Sequence, residues 1–477
     1  MKNLTWQNPE QLFVAQELIN KVKSKCCGIK VYIILSGWMF VSCGTYSRYH
    51  RPDLSTENLY RDVPVDIDTT TIASLSWREM FTDPKLQSLI ETGLERNTDL
   101  NVARLRVEAA EAVLMTARLS YLPSLGLTAE GNANKHDGAT AKTYNVGASA
   151  SWELDIFGKL TAAKRGAAAA LQGSRAYRQA VQTQLVATIA DSYYTLAMLD
   201  AQMTISNRTL ENWRTTVSTL EALKKVGKSN EAGVLQAKAN VMRLEASLLS
   251  IRKSISETEN ALSAILAMPS HSIGRSNLAE AAFPDTVSIG VPLQLLSNRP
   301  DVRQAEMELA QAFYATNAAR AAFYPNITLS GTLGWTNNGG GVIVNPGQWL
   351  LNAIGSLTQP LFNRGTNIAN LKIAKTRQEE AKLLFQQSLL NAGKEVNDAL
   401  TAWQTAKSQI EINARQVETL CDAVRKTESL MRHSNTTYLE VLTAQQSLLE
   451  AEVQQLQTRF ERIQSVIKLY HVLGGGM

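Results

Sequence analysis

Tyr324-Pro325-Asn326-Ile327-Thr328-Leu329-Ser330-Gly331-Thr332-Leu333-Gly334-Trp335 decides the fold of this chain. Pro325 cannot continue an α-helical ladder and pushes Tyr324 towards extended geometry, so a helix must close before it. Beyond it Ile327, Leu329, Gly331, Leu333 and Trp335 alternate with Thr328, Ser330 and Thr332, the period of a strand with one apolar and one polar face. Asn337-Asn338-Gly339-Gly340-Gly341 then supplies a turn, and Trp349, Leu351 and Ala353 alternate on the way back. The result is a hairpin with strands of about ten residues, the length that a tilted membrane-spanning strand needs.

The same pattern stands earlier in the chain. Leu122-Pro123-Ser124-Leu125 precedes Tyr324-Pro325-Asn326-Ile327 by 202 residues. Trp152-Glu153-Leu154-Asp155-Ile156-Phe157-Gly158 corresponds to Leu357-Thr358-Gln359-Pro360-Leu361-Phe362-Asn363 at an offset of 205, and Val234-Leu235-Gln236-Ala237 to Val441-Leu442-Thr443-Ala444 at 207. Offsets that drift in one direction and keep their order indicate a duplication with small loop insertions. In the first half Leu125, Leu127 and Ala129 alternate, a polar loop follows with Asn132, Asn134, Asp137 and Gly138, and Tyr144, Val146, Ala148, Ala150, Trp152 and Leu154 return. A soluble sheet with one face on a core would alternate in the same way. Two features favour a wall between lipid and water: both hairpins interrupt very long helices, and both carry Trp or Tyr near their ends.

Helical stretches are expected at Pro84 to Tyr121 and Pro300 to Phe323, each running into a proline. Pro300 suits a first helical turn, and Asp301 the positive end of the dipole. Gly158 to Val226 has 69 residues without a proline, about 100 Å if continuous at ~1.5 Å per residue. Met242 to Met268, Thr366 to His433 and Thr437 to Leu473 add further stretches, with turns and caps at Gly227-Lys228-Ser229-Asn230 and Ser434-Asn435-Thr436-Thr437. Small residues in Ala162 to Ala170 would let helices approach closely. Two antiparallel helical hairpins follow, one per half. The organisation reads as a signal segment at 1–42, an N-terminal segment at 43–83, a first repeat at 84–283, a second at 284–473 and a flexible tail at 474–477.

Composition sets limits on function. The 477 residues are 44% hydrophobic and 19% charged, with a mean hydropathy of −0.14, which excludes global disorder and a polytopic helical membrane protein. Of the net charge of +5, residues 1–42 supply most, and the remainder holds 43 basic against 41 acidic residues. Nucleic-acid binding therefore loses its main support. Residues 21–30 are basic, and Val31 to Val41 is an apolar run of 11 residues. Such a run spans only ~17 Å as a helix, too short for a ~30 Å hydrocarbon core. It reads as a signal h-region, and Phe40-Val41-Ser42-Cys43 resembles a bacterial lipobox in which Cys43 would carry lipid and become the new N-terminus. Cys26 and Cys27 would leave with the presequence and Cys421 stands alone, so no disulfide is expected. His50, His136, His271, His433 and His471 are scattered without ligand spacing, so no metal or cofactor is expected beyond the covalent lipid on Cys43. No nucleophile–base pair or phosphate loop appears, so no enzyme is expected.

Four strands cannot close a barrel, since the smallest membrane barrels have about eight. Open strand edges are not tolerated in lipid. The chain must therefore oligomerise with rotational symmetry. Two copies would give eight strands and three would give twelve with a lumen, and the pattern alone leaves both open.

Five motifs in order carry a family resemblance: Trp77-Arg78-Glu79-Met80-Phe81-Thr82-Asp83-Pro84-Lys85-Leu86, Ser151 to Gly158, Asn298-Arg299-Pro300-Asp301-Val302-Arg303-Gln304-Ala305-Glu306, Ala322-Phe323-Tyr324-Pro325-Asn326 and Gln359-Pro360-Leu361-Phe362-Asn363. Over about residues 43 to 473 the chain resembles the TolC-like outer membrane factors, in the lipoprotein branch serving RND-type efflux pumps. The resemblance implies a mainly α fold with a transmembrane β-barrel sector, a homotrimer with a 12-stranded β-barrel and a 12-helix periplasmic tunnel. It further implies a location in the outer membrane with a lipid anchor, reaching into the periplasm, and partners in a periplasmic adaptor and an inner-membrane RND-type pump. The implied activity is passive export of small molecules such as drugs, toxic compounds or metal ions. Thr437 to Ala444 matches the family's periplasmic constriction, which makes Glu440 and Thr443 the constriction candidates; Gly233 is the first-half equivalent of Glu440. Three Glu440 side chains on the axis would form an acidic ring. Thr437-x-x-Glu440 is also a capping box, which needs no pore role. Alternative functions are an exit duct for type I protein secretion and a lipid-anchored periplasmic coiled-coil scaffold without a pore.

Overall fold

The computed structural model describes residues 47–52, 75–136, 138–227, 229–280, 283, 299–336, 348–432 and 438–475. The chain forms α1 (Trp77–Met80), α2 (Pro84–Arg96), α3 (Thr98–Leu119), β1 (Ser124–His136), β2 (Ala139–Leu154), α4 (Lys159–Lys225), α5 (Glu231–Ile265), α6 (Pro300–Ala321), β3 (Asn326–Thr336), β4 (Gln348–Thr358), α7 (Thr366–Arg432) and α8 (Tyr438–Val472). The halves repeat with fixed lengths: α3 and α6 have 22 residues each, α4 and α7 have 67, and α5 and α8 have 35. Two units result, one of residues 120–163 and 314–372 with the segment before Arg51, the other of residues 51–119, 164–313 and 373–477.

The first unit contains a four-stranded antiparallel sheet in the order β1-β2-β3-β4. The sequence places the strands well, but the first hairpin differs from expectation. Asn132 and Asn134 lie inside β1, paired with Thr143 and Ala141, and β2 begins at Ala139, directly after Gly138; Asp137 lies outside the described residues. Gly138 has φ +84°, a left-handed value that a glycine adopts without a Cβ penalty. The expected polar loop is strand because ladder bonds use backbone groups, whatever the side chains. Among the described residues β3 pairs with β2 from Asn145 to Leu154.

The second unit is helical. Asp83 caps α2 through Lys85 N at 2.9 Å with Pro84 at the first position, as an N-terminus favours. The single helix expected from Pro84 to Tyr121 is two, because Asn97 leaves the helical region and its amide donates to Ile265 O at 2.8 Å while its Oδ1 accepts from Leu100 N. The stretch expected to begin at Met242 begins at Glu231, where Asn230 Oδ1 caps Gly233 N. α4 and α5 form an antiparallel hairpin around Leu199, Leu210, Trp213, Leu244, Leu248 and Ile251. α3 packs through Val107 and Leu114 onto Ala167, Ala168 and Leu171 of α4, the close approach that small residues allow. α8 binds α4 through Arg208–Glu452 at 2.6 Å and Gln464–Asp191 at 2.7 Å, and α7 through Asn413–Thr458 at 2.8 Å. Among the described residues no helix is long and apolar enough to cross a membrane.

Candidate functional site

The register of the sheet sorts its side chains by chemistry. Leu125 pairs with Ala150, Leu127 with Ala148 and Ala129 with Val146; Trp152 pairs with Leu329, Ala148 with Leu333 and Val146 with Trp335; Leu329 pairs with Gly355, Leu333 with Leu351 and Trp335 with Trp349. Because side chains alternate, these pairs share one face, and that face is apolar from β1 to β4. It is not a buried core face: Leu127 is 90% exposed and Leu351 79%. The other face carries Ser149, Ser151, Thr328, Ser330, Thr332 and Asn352, with Leu350 and Ile354 as apolar exceptions. An exposed apolar face this broad needs a lipid or protein partner.

Aromatic rings mark two levels of that face. Trp335 and Trp349 pack with ring centroids 4.8 Å apart. Trp152 pairs with Leu329, six residues along β3 from Trp335, or about 20 Å at ~3.3 Å per residue. Its Nε1 donates to Tyr121 O at 2.9 Å. A ring with its apolar body outward and its N–H on a backbone carbonyl suits the boundary between hydrocarbon and water. Among the described residues the outer strands β1 and β4 each keep one unpaired edge, and such edges in lipid require further strands.

The turn between α4 and α5 forms a second candidate site. Lys224 pairs with Glu231 across it. Tyr438, at the start of α8, rests on Gly233, and Leu442 enters a cluster with Leu220, Val234 and Ala237. Gly233 is thus more than an uncharged counterpart of Glu440, because the Tyr438 ring occupies the space of its side chain. Glu440 and Thr443 are both exposed on α8, three residues apart on the face opposite Val441, Leu442 and Gln445. Thr437, the other half of the capping box, and Cys43 lie outside the described residues.

Buried charges tie the helical unit together. Arg299, 5% exposed, binds Asp301 at 2.8 Å, Glu395 at 2.6 Å and Val472 O at 3.0 Å. Burial raises the Asp301 carboxyl, but the Arg299 guanidinium outweighs it and holds the group below its ordinary value. Arg275 binds Asp200 and Glu259, each at 2.5 Å. Tyr193 Oη donates to Asp83 Oδ2 at 2.5 Å and accepts from Ser276 N at 2.8 Å. Burial, then the Asp83 bond, pushes the Tyr193 phenol up to about 12. Burial alone would raise Asp83, yet bonds from Tyr193 and Lys85 N leave it below its ordinary value. Sequence reasoning singled out Asp301 for the helix dipole and missed its bidentate arginine, which the adjacent Arg299-Pro300-Asp301 order signals. Arg275 and Tyr193 had no local signal, since Arg275 joins Asp200 and Glu259, 75 and 16 residues away, and Tyr193 joins Asp83, 110 residues away.

The outer membrane efflux protein family model matches residues 89–268 and 291–475. The cation efflux system protein CusC of Escherichia coli K12 is 30% identical over 408 residues, 84% of this chain and 88% of that protein. The probable outer membrane lipoprotein SilC of Salmonella typhimurium is 30% identical over 471 residues, 95% and 99% of the two chains. A crystal structure of CusC has a TM-score of 0.81 at 29% identity and covers 90% of this chain and 99% of that one. The open state of the Neisseria gonorrhoeae MtrE outer membrane channel gives 0.79 at 29% identity, covering 90% and 97%. With duplicated helical hairpins and one lipid-suited sheet face, the chain belongs to the outer membrane efflux protein family and is an outer-membrane efflux channel subunit.

Proposed function

We propose that three copies of this chain form the exit duct of a tripartite pump, with a 12-stranded barrel in the outer membrane and a 12-helix tunnel below it. The observation that carries this is the single apolar face running across all four strands between two open edges. Three sectors give twelve strands and a lumen, whereas two give a barrel filled by side chains. A periplasmic adaptor and an inner-membrane RND-type pump would supply substrate and energy. The chain does no chemistry itself and holds no cofactor beyond its lipid. Cargo is small molecules or metal ions, since one relative bears the name of a cation efflux protein and another that of a pyoverdine exporter. Residues 1–42 are a signal segment, 43–83 a lipid-bearing N-terminal segment, 84–283 and 284–473 the repeats, and 474–477 a tail. Lipid on Cys43 fits the tethering of Ser47, whose carbonyl accepts from Asn317 Nδ2 at 2.9 Å within the unit that carries the sheet. Glu440, with Thr443 one turn on, faces the tunnel axis as an acidic constriction. Purified protein should run as a heat-modifiable trimer and conduct ions in planar bilayers. A monomer without conductance would sink the duct and favour a scaffold.

A further inference from the structure

We infer that Lys135 and Lys142 bind phosphate groups of the glycolipid in the outer leaflet of the membrane. This rests on the barrel proposed above and names the headgroup that its outer rim takes.

The four strands hold two acids and two lysines, and the register divides them by sign. Glu130 pairs with Asn145 and Glu153 with Thr328, which places both carboxylates on the polar face. Alternation puts the lysines on the opposite face, in line with Leu125 and Leu127 on β1 and with Val146 and Trp152 on β2. Lys142 pairs with Ala133 and Lys135 with Thr140, so the two are diagonal neighbours, about 7–8 Å apart. Both are exposed. Among the described strand residues no carboxylate shares their face.

Their height selects the ligand. Trp152, with its N–H on Tyr121 O, marks the boundary at the end of β2 from which the chain enters α4. Lys142 precedes it by ten residues, about 33 Å of strand at ~3.3 Å per residue. A tilt of ~40° turns that into about 25 Å of depth, the height of the apolar band on a membrane barrel. Lys142 therefore stands at the opposite boundary, beyond Tyr144 and beyond the level at which Val146 pairs with Trp335. Lys135 lies one step further out. In an outer-membrane channel that reaches into the periplasm the helix end is the inner end, so both lysines lie at the outer leaflet. A lysine at such a boundary lays its stem on the hydrocarbon and lifts its ammonium into the headgroups. Glycolipid phosphates there are doubly charged oxygen acceptors, which a pair of ammonium groups binds through charge-assisted hydrogen bonds. An ordinary phospholipid whose phosphate carries its own ammonium offers less net charge.

The test titrates diphosphoryl lipid A and its fully dephosphorylated form into the full-length oligomer in neutral detergent and counts bound lipid by native mass spectrometry. Each lysine removed should weaken binding of the diphosphoryl form about 5-fold, or ~1 kcal/mol at ~1.4 kcal/mol per tenfold. Lys135→Gln with Lys142→Gln should abolish the preference over the dephosphorylated lipid, and Lys135→Arg with Lys142→Arg should keep it. Lys142→Thr with Thr143→Lys moves the charge to the polar face at constant composition and should weaken binding as Lys142→Gln does. Lys159→Gln, at the inner end where Lys159 pairs with Glu153 at 2.9 Å, should change nothing. Equal affinity of the wild-type oligomer for the two lipids overturns the site whatever the variants do, as does undiminished binding by the double glutamine variant. Displacement of lipid A by inorganic phosphate would show a site for free anions and overturn the lipid assignment. In each of these cases a conducting wild-type oligomer leaves the duct standing. Protein that neither oligomerises nor conducts overturns duct and site together.

Discussion

The Tyr438 ring covers Gly233 so closely that a β-carbon there would sit 2.5 Å from Tyr438 Cζ. Gly233→Ala must displace the ring, a cost of about 1–3 kcal/mol for overpacking of this kind. Faster hydrogen exchange across Leu220 to Ala237 is the expected readout. Adding Tyr438→Ala should remove the excess exchange, and wild-type exchange in the single variant would contradict the contact.

Asp83 and Tyr193 predict stability lost at both ends of the pH scale. The folded Asp83 carboxyl lies below its ordinary value, so its contribution is full above ~4 and is lost as pH falls through the depressed folded value. The Tyr193 phenol is raised to about 12, so its contribution is full below ~10 and is lost as pH rises towards that value. Tyr193→Phe should cost about 1.5–3 kcal/mol at pH 7, the range for hydrogen bonds to charged groups. The gap in melting temperature between wild type and variant should narrow in acid as Asp83 protonates, leaving the part due to the Ser276 N bond; a gap of unchanged size from pH 7 to below pH 2 would refute the assignment.

Adjacent residues on β3 should differ sharply in tolerance. Leu333 shares the apolar face with Leu351, and Thr332 points to the other face beside Asn352. Leu333→Arg should cost about 2–4 kcal/mol in lipid and deplete the protein from outer-membrane fractions. Thr332→Arg should assemble. Equal levels of the two variants would mean that the apolar face does not meet lipid.

Ion selectivity checks the constriction. Glu440→Gln should reduce single-channel preference for cations in planar bilayers, and Thr443→Glu should increase it. Unaltered reversal potentials in both would leave Glu440 a role in capping alone.

Lipid attachment is separable from insertion. Cys43→Ala should abolish incorporation of radiolabelled palmitate, while the barrel keeps the oligomer in the outer membrane. Undiminished labelling would place any acyl chain elsewhere.

How much of this could be read from residue order depends on the range of the contacts. Pro325 and the Ile327 to Trp335 alternation fix β3 locally, and the uniform apolar face follows because slipping the register by one residue would mix the faces. Lys159–Lys225 was legible for want of a proline. Asn97 was not, because the bond that stabilises its break reaches Ile265, 168 residues away. Arg275 likewise depends on Asp200 and Glu259, which nothing nearby announces. At the tip, sequence offered Glu440 and Thr443 but hid Gly233, whose constraint comes from a ring on another helix.

The matched lengths of the two helical hairpins have an evolutionary consequence. Tyr438 meets Gly233 only because α4 and α7 both reach the turn after 67 residues. One residue added to either would shift its tip by ~1.5 Å and rotate every later side chain by about 100°. Single insertions in one half are therefore barred, and a change in tunnel length must come as whole heptads entering both halves together. Across descendants of this gene, length should vary in steps of about 28 residues, one heptad for each of α4, α5, α7 and α8.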